Sequence, residues 1–152
     1  MNMYYLDSSA WVKLYLTEPG TNEISHLFNE LSREQLASTG LGYVEVTSAL
    51  ARQQTARKIN ARALYQLQQQ LKSDWKDLTE ISITAELIDQ AARLAGRFKL
   101  RGADAIHLAA ALSFQNALIE TNQLVTFVAS DTKLLQAAQT IGLLTHNPVH
   151  HL

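Results

Sequence analysis

Residues 3–9 read MYYLDSS, a short apolar run, Met3–Leu6, that ends at Asp7. Residues 124–132 read LVTFVASDT, a second apolar run that is followed closely by Asp131. Apolar runs of this length are typical of buried strands. Asp, Ser and Thr are favoured residues at the start of a helix. Both segments therefore predict a buried strand that leads through an acidic residue into a helix.

Predicted strands and helices alternate along the whole chain. Such alternation favours a parallel sheet covered on both faces, so we expect an α/β fold with a central, mostly parallel sheet of four or five strands flanked by helices on both faces. The predicted strands are Met3–Leu6, Leu36–Thr39, Leu78–Ile83, Leu124–Ala129 and Leu143–Thr145. The predicted helices cover Ala10–Leu16, Asn22–Arg33, Gly42–Gln54, Asn60–Trp75, Thr84–Phe98, Ala103–Ile119 and Asp131–Thr140.

The composition narrows the classes of protein to consider. A chain of 152 residues, 47% hydrophobic, fits one globular domain. The absence of cysteine excludes disulfides, zinc–thiolate sites and thiol catalysis, and it fits a cytoplasmic location. We expect no signal peptide and no membrane-spanning segment.

The net charge of −1 argues weakly against nucleic-acid binding. If four acids belong to a metal site, however, ten acids remain against 13 Lys and Arg. The rest of the chain would then be basic, and an RNA partner is not excluded.

Four acidic residues are candidates for one site. Asp7 and Asp131 follow predicted strands, and ligand sites of parallel sheets gather beyond the carboxyl ends of the strands. Glu45 and Asp104 lie in predicted helices among apolar neighbours, where a carboxylate is costly unless it is paired or binds a metal. The alternatives are that the first two only cap helices, and that the other two reach water. The first turn of a helix also favours an acid such as Asp104.

A cluster of these carboxylates would need a cation. Like charges in a low dielectric repel one another, and a hard divalent ion with oxygen ligands removes that repulsion. Mg²⁺ or Mn²⁺ is the expected cofactor, because the chain has no cysteine thiolate for zinc and the candidate ligands are all carboxylates. Such an ion activates water and stabilises charge on a phosphoryl oxygen. The four acids therefore suit phosphodiester hydrolysis.

Four segments, in order, resemble the motifs of PIN-domain nucleases, in particular VapC-like toxins of bacterial toxin–antitoxin pairs. They are YYLDSSAWVKLYLTEPG with Asp7, GYVEVTSALAR with Glu45, LRGADAIHLAAAL with Asp104, and TFVASDTKLLQAAQTIGL with Asp131. The resemblance implies a single PIN-like domain over residues 1–148, followed by a tail, 149–152. It covers nearly the whole chain, except that residues 55–78 match no motif.

The resemblance also implies an activity. The four acids would hold one or two Mg²⁺ or Mn²⁺ ions, and water would cleave RNA internally by in-line attack, leaving a 5′-phosphate and a 3′-hydroxyl. The implied role is a toxin that blocks translation, held inactive by a cognate antitoxin protein. Family members usually form homodimers.

Several further residues are candidates for supporting roles. Ser9 matches the family's hydroxyl position and would hydrogen-bond an acid or a metal-bound water. His107, three residues after Asp104 on a helix, would steady that carboxylate or a phosphate, or is simply packed and hydrogen-bonded. Lys13 would point to the cleft or into solvent. A basic cluster would bind RNA phosphates, or is simply a solvated face. Its members are Arg52, Arg57, Lys58 and Arg62.

Two other functions remain open on the sequence. A non-catalytic PIN-fold module would bind RNA or a partner protein, although a pure binder has no need of clustered acids. An aspartyl-phosphate phosphatase or a receiver domain would also place an acid after the first strand. The phosphatase would need a second acid at position 9, where this chain has Ser9.

Overall fold

The computed structural model describes residues 2–149 and contains one five-stranded sheet. The strand order is β3-β2-β1-β4-β5, and every neighbouring pair is parallel. The predicted α/β fold with a parallel sheet is therefore confirmed. The strands are β1 (Asn2–Leu6), β2 (Leu36–Ser38), β3 (Thr79–Glu80), β4 (Leu124–Val128) and β5 (Leu144–His146).

Helices cover both faces of this sheet, as predicted. They are α1 (Ser8–Trp11), α2 (Thr21–Glu30), α3 (Gly40–Thr55), α4 (Ala61–Asp77), α5 (Ala85–Phe98), α6 (Gly102–Ala117) and α7 (Thr132–Thr140). Short 3₁₀ turns lie at Val12–Leu14, Arg33–Gln35 and Ile119–Thr121. In the described residues, no helix is long and apolar enough to cross a membrane.

Strand alternation divides the buried side chains into two cores. On β1, Tyr5 points to one face, where it stacks on Phe127 of β4 and packs with α5, α6 and α7. Leu6 points to the other face and packs with α1, α2, α3 and α4. A cleft at the carboxyl ends of the strands can therefore draw side chains from both layers of helices, as it does from α3 and α6.

The pairing of β1 with β4 fixes the position of that cleft. Leu6 is paired with Val128, and the Asp7 amide donates to the Val128 carbonyl at 3.2 Å. The two strands therefore end side by side. Asp7 and Asp131, which follow them, lie at the same carboxyl edge of the sheet.

The prediction of a first helix over Ala10–Leu16 is wrong about where the helix starts and about the type of helix. The Asp7 carboxylate accepts the Ala10 amide and caps an α-helix that begins two residues earlier, at Ser8. After Trp11 the chain tightens into a 3₁₀ turn.

The predicted strand Leu78–Ile83 is wrong in its length. Only Thr79 and Glu80 form the strand, with one further backbone hydrogen bond from Ile81 to Ser38. Thr84 then caps α5, which turns the chain away from the sheet edge.

The remaining predicted elements exist, with ends that differ by up to three residues. The largest difference is at α2, which ends at Glu30 because Leu31 adopts an extended conformation. The tail residues 150–152 lie outside the described residues. The division at residue 148 therefore stays a prediction.

Candidate functional site

A cleft of about 260 Å³ opens at the carboxyl edge of the sheet. The structure brings all four predicted acids to this cleft from four different elements. Asp7 follows β1, Glu45 lies in α3, Asp104 lies in the first turn of α6, and Asp131 precedes α7. The full lining is Asp7, Ser8, Ser9, Glu45, Arg101, Ala103, Asp104 and Asp131.

Asp7 is the buried acid of this cleft, with only 3% of its surface exposed. Its Oδ1 accepts the Ser9 hydroxyl at 2.7 Å and the Ala10 amide at 2.9 Å. The Ser9 oxygen in turn accepts the Ser130 amide at 3.1 Å, which joins the ends of β1 and β4. Burial raises the pKa of Asp7; the charge of His107 and the two hydrogen bonds lower it, but the net shift is upward.

Glu45 is held by a chain of hydrogen bonds that begins in the core. Its Oε1 lies 2.6 Å from His107 Nε2, and His107 Nδ1 lies 2.7 Å from the Tyr5 hydroxyl. Burial raises the pKa of Tyr5, so the phenol stays protonated. The two ring nitrogens of His107 thus connect this phenol to the Glu45 carboxylate.

The pKa of Glu45 reflects this contact. Partial burial raises it, but the hydrogen bond and the charge of His107 outweigh burial, so the pKa of Glu45 is lowered. The Ser8 hydroxyl and the charge of Arg101 also lower the pKa of Glu45. His107 is therefore the packed, hydrogen-bonded histidine that was one of the two alternatives. The acid that it contacts is Glu45, whereas its place on the helix had pointed to Asp104.

The other two acids have simpler surroundings. Asp104 lies 3.4 Å from Arg101, three residues earlier, whose side chain is 85% exposed. Asp131 accepts the Leu134 amide at 3.1 Å and is the N-cap of α7. Asp7 and Asp131 thus both cap helices and both line the cleft, so the two roles coexist in each residue.

The side chains of the cleft suit a divalent cation, but they are not arranged as a complete metal site. In the described part of the chain, no three acidic or histidine side chains form a ready-made metal site. Glu45 faces His107, and Asp104 faces Arg101. The donors still fit Mg²⁺ or Mn²⁺, because all are carboxylate oxygens. Asp7 supports the fit, since a cation would offset the cost of its buried charge. The acids able to hold the ion are Asp7, Glu45, Asp104 and Asp131.

The predicted basic residues do not line the acidic cleft, although Arg52 shares a neighbouring cavity with Glu45. Lys13 is buried, and its Nζ pairs with Glu18 at 2.7 Å, so it does not point to the cleft. Arg52 lines a neighbouring cavity on α3. The remaining three, all within the described residues, do not line the acidic cleft either. They are Arg57, Lys58 and Arg62.

The sequence interpretation gave no site role to three residues. Tyr5 supports His107 from the centre of the sheet, Ser8 lowers the pKa of Glu45, and Arg101 pairs with Asp104. The sequence could have indicated the pairing of Arg101, because this residue lies three positions before an acid at the start of a helix. Tyr5 had none, since its partner is 102 residues away in the chain.

Comparison with known proteins gives the family. A family model described as the PIN domain matches residues 4–136. Ribonuclease VapC46 of Mycobacterium tuberculosis is 34% identical over 149 residues, which are 97% of this chain and 99% of that protein. Ribonuclease VapC49 of the same species is 34% identical over 113 residues, 74% of this chain and 77% of that protein.

A solved structure shows the same fold at much lower identity. A chain of a toxin–antitoxin complex from Klebsiella pneumoniae aligns with a TM-score of 0.66 at 16% identity, covering 98% of this chain and 99% of that one. Because the family model matches residues 4–136 and both relatives are 34% identical, the chain belongs to the PIN-domain family.

Proposed function

We propose that this protein is a divalent-metal-dependent endoribonuclease. The observation that carries the proposal is the meeting of Asp7, Glu45, Asp104 and Asp131 in one cleft of about 260 Å³. The relatives support it further, because VapC46 and VapC49, each 34% identical, are named ribonucleases. The proposed reaction is hydrolysis of an RNA phosphodiester bond.

The proposed roles follow from the contacts of each acid. The four acids would hold Mg²⁺ or Mn²⁺, which would supply an activated water and stabilise charge on the phosphoryl oxygens. Asp7 is the most fixed of the acids, because Ser9 and the Ala10 amide hold its Oδ1. Asp131 is fixed by its capping contact with α7. His107 is a positioning residue, since it acts on the cleft through Glu45.

We further propose that the protein is the toxin of a toxin–antitoxin pair. The VapC names of the relatives and the fold shared with a chain of a toxin–antitoxin complex support this role. The partner would be a cognate antitoxin that covers the cleft, and we expect its short gene beside this one. The homodimer and the cytoplasmic location stay predictions from the family resemblance.

The enzyme proposal is tested with purified protein and a fluorescently labelled RNA. We expect cleavage with MgCl₂ or MnCl₂, none with excess chelator, and loss of cleavage in Asp7→Asn. Asparagine is isosteric and remains a good N-cap, so the fold should persist. Circular dichroism checks the fold, and analysis of the product ends should find a 5′-phosphate and a 3′-hydroxyl.

The matched control is Asp89→Asn, which makes the same change at an exposed carboxylate of α5 outside the cleft. It should cleave as the unmodified protein does. Cleavage that continues in chelator or in Asp7→Asn would contradict the metal mechanism. RNA binding without turnover at any divalent ion would instead favour the non-catalytic binding module.

A further inference from the structure

A second cavity, of about 470 Å³, adjoins the acidic cleft. Three residues belong to both linings, namely Ser8, Ser9 and Glu45. A substrate strand that places a phosphate among the acids therefore has this cavity within reach of its next nucleotide. The full lining is Ser8, Ser9, Val12, Val44, Glu45, Ser48, Ala49 and Arg52.

The lining of this cavity includes three apolar residues, Val12, Val44 and Ala49. Val44 is 63% exposed although it directly precedes Glu45. Exposed valines are common and need no function by themselves. Here, however, the exposed valine lies in the wall of a cavity beside the acids. Sites that receive a nucleobase outside a base stack commonly hold it between apolar or aromatic side chains.

The end of the cavity away from Glu45 is positively charged. Arg52 lies two turns after Glu45 on α3, roughly 10.5 Å along the helix axis. Its Nη1 donates to the Ser48 hydroxyl at 2.7 Å, which holds the guanidinium against the helix. A guanidinium carries five N–H donors, so this contact leaves others for a phosphate. Charge along the cavity thus runs from negative at Glu45 to positive at Arg52.

We propose that this cavity, named here the α1–α3 pocket, is a nucleotide subsite of the RNA substrate. The base of the nucleotide next to the cleaved bond packs against Val44 and its apolar neighbours, and the adjoining phosphate binds Arg52. The assignment rests on the proposed function, since it takes its substrate from the ribonuclease activity. It adds the place where the strand leaves the acidic cleft and the kind of contact that holds it.

The test measures RNA binding separately from cleavage. The probe is a fluorescein-labelled single-stranded RNA of about 12 nucleotides, titrated by anisotropy with Asp7→Asn protein. Adding Arg52→Gln should weaken RNA binding about fivefold. It should also lower the slope of log affinity against log salt concentration by about the amount expected for one lost phosphate contact. Adding Val44→Ser should weaken binding about fivefold or more without changing the salt dependence, because a base contact carries no charge.

Three controls keep the result specific. Val44→Ile retains an apolar wall and should bind as the Asp7→Asn parent does. Arg93→Gln removes a cation from α5, and Ile119→Ser removes an apolar side chain that is 70% exposed. Both lie outside the lining of the α1–α3 pocket and should leave binding unchanged.

The outcomes separate this inference from the proposed function. If Arg52→Gln and Val44→Ser bind RNA as the parent does, the subsite is refuted, while cleavage by the unmodified protein would still support the ribonuclease. Equal losses in Val44→Ile and Val44→Ser would also overturn the base contact. If the unmodified protein cleaves no RNA but these two variants still lose affinity, the subsite stands and the enzyme assignment fails.

Discussion

The hydroxyl of Tyr5 shows how a single buried atom reaches the cleft. Tyr5 is fully buried, and its hydroxyl hydrogen-bonds the equally buried His107, whose other ring nitrogen contacts Glu45. These hydrogen bonds pair the buried Tyr5 hydroxyl and both ring nitrogens of His107. The orientation of an acid at the surface is therefore set from the centre of the sheet.

Tyr5→Phe should be destabilising although it removes only one oxygen. The change leaves His107 Nδ1 buried without a partner, and an unsatisfied buried polar group costs about 1–3 kcal/mol. Urea unfolding should show a lower free energy of unfolding by that amount. Calorimetric titration should show weaker Mn²⁺ binding as well, because Glu45 is no longer held.

Tyr65→Phe is the matched control, since Tyr65 is 62% exposed on α4. It should change the free energy of unfolding by less than about 0.5 kcal/mol. Equal effects of the two substitutions would mean that the Tyr5–His107 contact does not stabilise the protein.

At the scale of elements, a glycine sets the distance between α3 and α6. A Cβ at Gly42 would lie 2.6 Å from Ser38 Oγ and 3.3 Å from His107 Cε1. Ser38 is buried and donates to the Leu6 carbonyl at 2.8 Å, so it has little room to move. The missing side chain lets α3 approach closely enough for Glu45 to meet His107.

Gly42→Ala should lower the free energy of unfolding by about 1–3 kcal/mol through overpacking. Gly40→Ala is its control in the same helix, because a Cβ there meets nothing within 4 Å. Alanine favours helix over glycine, so Gly40→Ala should be neutral or stabilising by up to about 1 kcal/mol. Chemical denaturation of both variants gives the comparison, and a stabilised Gly42→Ala would show that the contact is not tight.

The contact of α4 with the chain around α2 should make stability depend on pH. Asp74 of α4 accepts the Tyr15 hydroxyl at 2.8 Å and lies 3.9 Å from Arg33. Burial raises the pKa of Asp74 above its ordinary value of 3.8, against the lowering effects of Tyr15 and Arg33. The folded protein therefore holds this proton more tightly than the unfolded chain does.

The stabilising contribution of Asp74 is thus fully present below pH 3.8 and is lost as the pH rises through the folded pKa. Asp74→Asn cannot titrate there, so its free energy of unfolding relative to the unmodified protein should increase over that range. Urea unfolding between about pH 3 and pH 7 measures the difference. Asp89→Asn, at an exposed site, is the control, and a difference that decreases with pH would contradict the sign.

The elements themselves were largely predictable, and their ends were not. Apolar runs and cap residues such as Thr84 locate the strands and helices correctly, because both signals are local. The strand at Leu78–Ile83 was overestimated because its alternation of side chains continues beyond Glu80. Strand pairing depends on a neighbour, and β2 has only three residues, Leu36–Ser38, to offer.

At the scale of the whole molecule, the four acids were predicted to converge and the structure brings them to one cleft. The prediction worked for Asp7 and Asp131 because parallel neighbouring strands end at the same edge. It could not supply the pairing of Glu45 with His107, which are 62 residues apart and come from opposite layers of helices. Periodicity within one helix carries no information about the helix on the other face.

Metal binding at this cleft should stabilise the whole fold. A ligand at 100 times its dissociation constant adds about 2.7 kcal/mol to the free energy of unfolding. The thermal midpoint of the unmodified protein should therefore rise with MnCl₂ and return with chelator. Asp7→Asn should show a much smaller rise, and Asp89→Asn the full one. No rise at any concentration would argue that the four acids hold no ion.

The pairing of Asn2–Leu6 with Leu124–Val128 brings together segments separated by about 120 residues. Contacts between such distant segments are entropically costly to form, because a long loop must be closed first. During synthesis, Asp7 leaves the ribosome first and Asp131 last of the four. A nascent polypeptide that stops short of Ser130 lacks the strand beside which the first acid is placed. The protein therefore cannot assemble its cleft while the ribosome is still making the segments between those strands.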